Sequence, residues 1–218
     1  MICKLLNDKP QEGTVDLSRF DQLHWEGKKI IIGWTEHALQ QTTYSEEQAF
    51  ESFIFGWIAF NGWASCVTEK EHERNYLDTL YLDKEMNSKF ETILRDDFLE
   101  SAHHFRKFWP IFKSKDLREI VDSIGTREQI VGRYRTVRPE AKYTPACAFN
   151  EDHLSGIPLD WPHTLASIYQ VRCNLFHGYK GVHCENDRQL VSSALKVLKG
   201  ILKMCIPKLS SNAFGNAL

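Results

Sequence analysis

Four of the seven prolines fall between Arg138 and Pro162, with Gly156 among them, and no long helix can cross a stretch so dense in residues that remove or free backbone geometry. The chain must therefore be read as helical patterns on either side of a long loop at 138–162, of the kind that in compact domains often carries function. Before the loop, Ser45 can cap a helix whose first turn holds Glu46 and Glu47. Phe50, Phe53, Ile54, Trp57, Ile58, Trp63 and Ala64 follow over more than one stripe, so the helix ending near Cys66 should be central and widely buried. Residues 67–82 are polar and read as irregular. Asp83 can cap a further helix through Met86, Phe90, Ile93, Leu94, Phe98 and Leu99, with a break before Pro110. Shorter helical patterns run from Asp116 to Ile124 and from Thr126 to about Tyr134.

After the loop, Asp160-Trp161-Pro162 is a strong start signal, with a capping aspartate and a proline in the first turn. The apolar period continues through Leu165, Ile168, Tyr169, Val171, Leu175 and Phe176 to a stop at Gly178. A last amphipathic pattern covers Asp187 to Ile206, before Pro207. Residues 1–44 form an N-terminal extension in which the β-branched run Lys28 to Trp34 suggests one short strand, and 208–218 read as a flexible tail. The expected fold class is mainly α: an antiparallel helical bundle over 45–207 with a long inserted loop.

A hydrophobic fraction of 42% with 26% charged residues fits a folded chain, and a length of 218 fits one domain with its appendages. The formal charge of -2 excludes a protein that holds nucleic acid by bulk charge. The first residues turn polar too early for a secretory leader, and no run of apolar residues is long enough for a membrane helix. Six scattered cysteines without a CxxC pair suggest neither a disulfide framework nor a zinc ribbon. The expectation is a cytoplasmic protein with reduced thiols and no membrane partner.

Chemistry concentrates in Tyr169-Gln170-Val171-Arg172-Cys173-Asn174-Leu175-Phe176-His177-Gly178. Arg172 can fork onto a phosphate, and His177 can gain or lose a proton near neutrality. Five residues of ideal helix separate them by about 140°, so they would flank a cleft rather than form one tight pair. The plainer alternative is a histidine favoured by the helix dipole and an arginine in a surface ion pair.

The string Arg172 to Gly178, followed by a polar loop and an apolar helix, resembles the Arg-x4-6-His signature of the HEPN superfamily. The upstream Gly56-Trp57-Ile58-Ala59-Phe60-Asn61-Gly62-Trp63 is similar to the aromatic, Asn-containing helix that precedes the motif in many members. The resemblance spans roughly 45–206. It implies a helical bundle that forms a homodimer, with two motifs facing one another across a cleft. It further implies a metal-independent endoribonuclease of toxin–antitoxin, abortive-infection or other antiviral systems, with RNA as substrate and an antitoxin or defence protein as partner. Arg172 and His177 would then be catalytic, Arg172 holding the scissile phosphate and His177 moving a proton as the ribose 2′-hydroxyl attacks. The products would be a 2′,3′-cyclic phosphate and a 5′-hydroxyl. Members often carry Asn directly after the arginine. Here Cys173 stands in that place, with Asn174 next and Asn61 as a substitute, so these three are supporting residues. Arg172-x4-His177-x-Tyr179 is also similar to a toxin variant whose tyrosine is modified by its antitoxin. The alternative is a non-catalytic HEPN-like module that binds nucleotide, RNA or a protein.

Charge is uneven along the chain. Residues 103–142 carry ten Lys and Arg against five acids, a balance of +5 that leaves -7 elsewhere. Phe105, Phe108, Trp109, Phe112, Tyr134 and Tyr143 are interleaved, a mixture suited either to stacked bases or to a helical face backed by core aromatics. Arg133, Arg135 and Arg138, beside the proline-rich loop, are candidate RNA contacts. Neither His103-His104 nor the group His177, His183 and Cys184 has structural-zinc spacing, and no phosphate-binding glycine loop, GxSxG or HExxH occurs. No metal or cofactor is called for.

Overall fold

The computed structural model describes residues 15–40, 45, 48–113, 129 and 157–206. Among these residues the elements are the helices α1 (Ser18–Gln22), α2 (Trp25–Gln40), α3 (Gln48–Thr68), α4 (Glu73–Tyr81), α5 (Lys84–Ile93), α6 (Asp96–Arg106), α7 (Trp161–Phe176) and α8 (Glu185–Cys205). The mainly α expectation holds, and no strand occurs among the described residues.

Helix α3 is the axis. Its start is fixed by a reciprocal cap: the Ser45 N–H donates to Gln48 Oε1 at 3.2 Å, and the Gln48 N–H donates to Ser45 Oγ at 3.4 Å. Phe50, Phe53, Trp57, Phe60, Trp63, Ala64 and Val67 are all buried. With Ser52 and Ala59, which are also buried, they span about half the circumference of the helix, and α2, α4 and α8 cover α3 from different sides. Where α2 and α8 cross it, Gly56 keeps the backbones close. A Cβ there would stand 3.1 Å from Leu198 and 3.6 Å from the Ala38 methyl.

Residues 28–34, read from sequence as a strand, belong to α2. Ile31, Thr35 and Ala38 are buried at spacings of four and three, the helical period, whereas Ile30 is exposed. The Thr35 hydroxyl donates back to the Ile31 carbonyl at 2.7 Å, which lets a β-branched polar residue sit in the buried face. The 67–82 stretch is likewise not irregular throughout. In α4, Tyr76, Leu77 and Leu80 turn one side of an otherwise polar sequence into the core. The pattern from Asp83 is two helices rather than one. Asp83 accepts the Met86 N–H at 2.8 Å to begin α5. The chain then leaves helical geometry at Leu94, and α6 starts after Arg95 to pack along α8.

Helix α7 begins as its sequence indicates. Asp160 accepts the His163 N–H at 3.0 Å. Trp161 is fully buried, and its indole N–H reaches the Leu80 carbonyl at 2.7 Å, fastening α7 to the end of α4. The helical patterns at 116–124 and 126–134, most of the 138–162 loop and the tail at 208–218 lie outside the described residues. No described helix is long and apolar enough to cross a membrane.

The α6–α8 contact depends on one glycine. A Cβ built at Gly200 would fall 2.0 Å from Cε2 of Phe98, whose ring also meets Phe90 edge-on at 5.9 Å. Gly200→Ala should lower the unfolding free energy by about 1–3 kcal/mol, the usual cost of overpacking. Combined with Phe98→Ala, which removes the ring, the loss in urea denaturation should be smaller than the sum of the two single changes. Additive losses would show that the ring does not press on this site.

Candidate functional site

Arg172 emerges from the last turns of α7 toward α4. Its Nη1 lies 3.1 Å from Glu73 Oε2, with the two side chains 22% and 21% exposed. The other oxygen of Glu73 accepts the indole N–H of Trp57 at 3.0 Å. Trp57 is buried in α3, so the carboxylate is anchored from the core side before it meets the guanidinium. The Arg172 Cζ sits 4.6 Å from the centroid of the Phe176 ring, a cation–π contact, and Phe176 is 49% exposed. Arg172 Nε is buried with no hydrogen-bond partner. The guanidinium is thus held along an edge and over a face while part of the side chain remains at the surface.

His177 is placed differently. It is exposed and follows the last helical residue of α7. Gly178 adopts φ +69°, a left-handed conformation that costs glycine nothing. Its N–H donates to the Leu175 carbonyl at 3.0 Å, and the Tyr179 N–H donates to the Asn174 carbonyl at 2.9 Å. These two bonds make a Schellman turn, which stops the helix and leaves the imidazole at its rim. The loop beyond is tied to α8 by Asp187. One carboxylate oxygen pairs with Lys180 at 2.6 Å, and the other accepts the Gly181 N–H at 3.0 Å. The His177 and Tyr179 ring centroids are 6.2 Å apart.

The supporting residues divide. Asn174 turns inward and is 3% exposed: it accepts from Gln170 at 3.1 Å and donates to the Phe112 carbonyl at 2.9 Å. Its amide fastens the segment after α6 to α7. Cys173 is half-buried, and burial raises its thiol pKa, offset in part by hydrogen bonds with Tyr169 and Arg172. Asn61 accepts from the Tyr76 hydroxyl. Burial, and then the neighbouring charge of Glu73, raise the pKa of Tyr76, so Asn61 adjoins the Arg172 network through Tyr76.

Neither Glu73 nor Tyr76 was singled out by sequence, and Trp57 was read only as part of the buried aromatic helix. Glu73 lies in a polar run and Trp57 in a core pattern, and nothing in the local spacing links either to a residue a hundred positions away. Arg133, Arg135 and Arg138 lie outside the described residues. Of the aromatics in the basic segment, Phe105, Trp109 and Phe112 are buried and belong to the interior, which removes them as base-stacking surfaces. Among the described residues, no group of three His, Cys, Asp or Glu side chains could hold a metal ion.

No protein-family model, curated protein or solved structure matches the chain.

Behind Arg172 lies a cluster of tyrosines. Burial raises the pKa of Tyr76, Tyr81 and Tyr169, and the Tyr81 hydroxyl is buried without a hydrogen-bond partner. Unfolded tyrosines ionise near pH ~10 and cysteines near ~8.5, whereas the folded chain keeps these groups protonated to higher pH. Between those limits the native state binds more protons than the unfolded state, so stability is fully present below pH ~8.5 and falls as pH rises. Urea denaturation at successive alkaline pH values should show that decline, with a shallower slope in Tyr81→Phe. At pH 7 the same substitution should be neutral or stabilising by up to about 1 kcal/mol, because it removes an unsatisfied buried hydroxyl. A clear loss at pH 7 would mean that the hydroxyl has a partner.

Proposed function

We propose that this chain is a HEPN-type endoribonuclease that acts as a homodimer in a toxin or antiviral defence setting. The observation that supports this reading most is the contrast between the two motif side chains. Arg172 is braced by Glu73 and Phe176 at the surface, while His177 stands exposed at a Schellman turn one helical turn further on. A fixed guanidinium suits a phosphodiester whose charge increases in the transition state. An exposed imidazole suits proton transfer.

In the proposed reaction His177 takes the proton from a ribose 2′-hydroxyl, and the 2′-oxygen bonds to the adjacent phosphorus. The bond from phosphorus to the 5′-oxygen breaks, and that oxygen takes up a proton from the imidazolium or from water. Arg172 balances the charge on the non-bridging oxygens. A cyclic 2′,3′-phosphate and a 5′-hydroxyl result. The second motif of the cleft would come from the partner copy, and Tyr179, beside His177, is the position through which an antitoxin would act. The Glu73 pair favours one other reading, a non-catalytic module of the same type in which Arg172 is already satisfied by its carboxylate and the surface binds nucleotide, RNA or protein.

Purified protein with EDTA present should cleave single-stranded RNA to 2′,3′-cyclic phosphate ends. His177→Ala and Arg172→Ala should each lower the rate by about 100-fold or more, the usual worth of a positioned acid–base or charge-stabilising group. Equal cleavage by His177→Ala would sink the proposal. Intact RNA under all conditions tried, with partner binding retained, would select the non-catalytic module.

A further inference from the structure

Arg172 is the more constrained of the two motif residues, and the constraint comes from outside the motif. Glu73 begins α4, far from Arg172 in sequence, yet its two oxygens bridge Trp57 Nε1 in the core and Arg172 Nη1 at the surface. Glu73 is therefore a short strut from α3 to α7 rather than a mobile surface acid. The indole fixes one oxygen, which sets the direction in which the other can meet the guanidinium. Phe176 covers one face of the same group, and the buried Nε closes its inner side. A guanidinium carries five N–H donors, more than these partners consume, so hydrogens remain for a phosphate.

The strut has a second, electrostatic effect. A carboxylate beside Arg172 partly cancels its charge, which weakens ground-state attraction for an RNA phosphate. Geometry and charge thus act in opposite directions: the strut costs affinity for the substrate and fixes the arginine for the more highly charged transition state.

We infer that Glu73, held by Trp57, is the positioning residue that orients Arg172 toward the scissile phosphate, an inference that rests on the ribonuclease reading above. Glu73 itself touches neither the phosphate nor the attacking hydroxyl. Its removal should therefore lower the turnover number without raising the Michaelis constant. A merely structural contact would not separate the two in that way.

The experiment pairs RNA cleavage by the full chain with side-chain NMR of the RNA-free protein. In Glu73→Gln, which keeps an oxygen for the Trp57 indole and loses the charge, kcat should fall by about 10- to 100-fold, the scale of a misplaced catalytic group, while KM stays the same or falls. The Arg172 side-chain resonances, slowed in rotation in the wild type, should become freely averaged. Glu73→Asp, which keeps the charge with a shorter reach, should lie between the two in both measurements, and it carries the comparison if Glu73→Gln does not fold. Cleavage by wild type that Glu73→Gln matches in kcat overturns this inference alone, as does an Arg172 signal unaltered by either substitution. RNA left intact by a wild type whose Arg172 is visibly held overturns the ribonuclease reading, and this inference with it.

Discussion

A helix apolar over most of its circumference cannot rest at a surface, and α3 is such a helix. With Phe53, Phe60, Trp63, Ala64 and Val67 all buried, it must be covered from several directions. The arrangement of α2, α4 and α8 follows from that requirement. The same helix reaches the site. Trp57 shares its buried length with these residues, and its indole N–H, which must find an acceptor when buried, finds Glu73. Burial of α3 and placement of Arg172 are two results of one packing problem.

The site thereby joins two kinds of order. Arg172 is held by contacts between helices, which depend on tertiary packing and the long-range meeting of α3, α4 and α7. His177 is held by local backbone geometry, the positive φ of Gly178 and the bonds that close the turn. The first would be lost with the core, whereas the second belongs to the chain around residues 174–179. Asp187 fastens the loop that follows the turn to α8.

What could be read in the sequence was what local physics specifies. The caps at Ser45, Asp83 and Asp160, the glycine stop at 178 and the long amphipathic pattern of α8 rest on neighbours in the chain, and each is found where its chemistry places it. The β-branched run in α2 misled because strand propensity and helical burial compete there. The periodic burial of Ile31, Thr35 and Ala38 against α3 decided the outcome. In α4 the buried side is only Tyr76, Leu77 and Leu80 amid charges, too little signal against a polar background. Asn174 beside the arginine reads as a site residue from its position, yet its amide points at the Phe112 carbonyl, a partner that no local spacing reveals. Glu73 was hidden for the same reason.

The order of the helices also bears on synthesis. One side of α3 is covered by α8, the last helix of the described chain, and the side chains that α3 buries include its largest aromatics. A nascent chain that has passed α3 must keep this surface out of contact with other chains until α8 has left the ribosome, since exposed apolar surface of this kind drives aggregation. Arg172 and His177 precede α8 and so are made before the helix that fastens the loop after them. A chain released early would carry both motif residues without the helix to which Asp187 ties their loop. Emergence of α8 is thus built into the assembly of the loop beside the site.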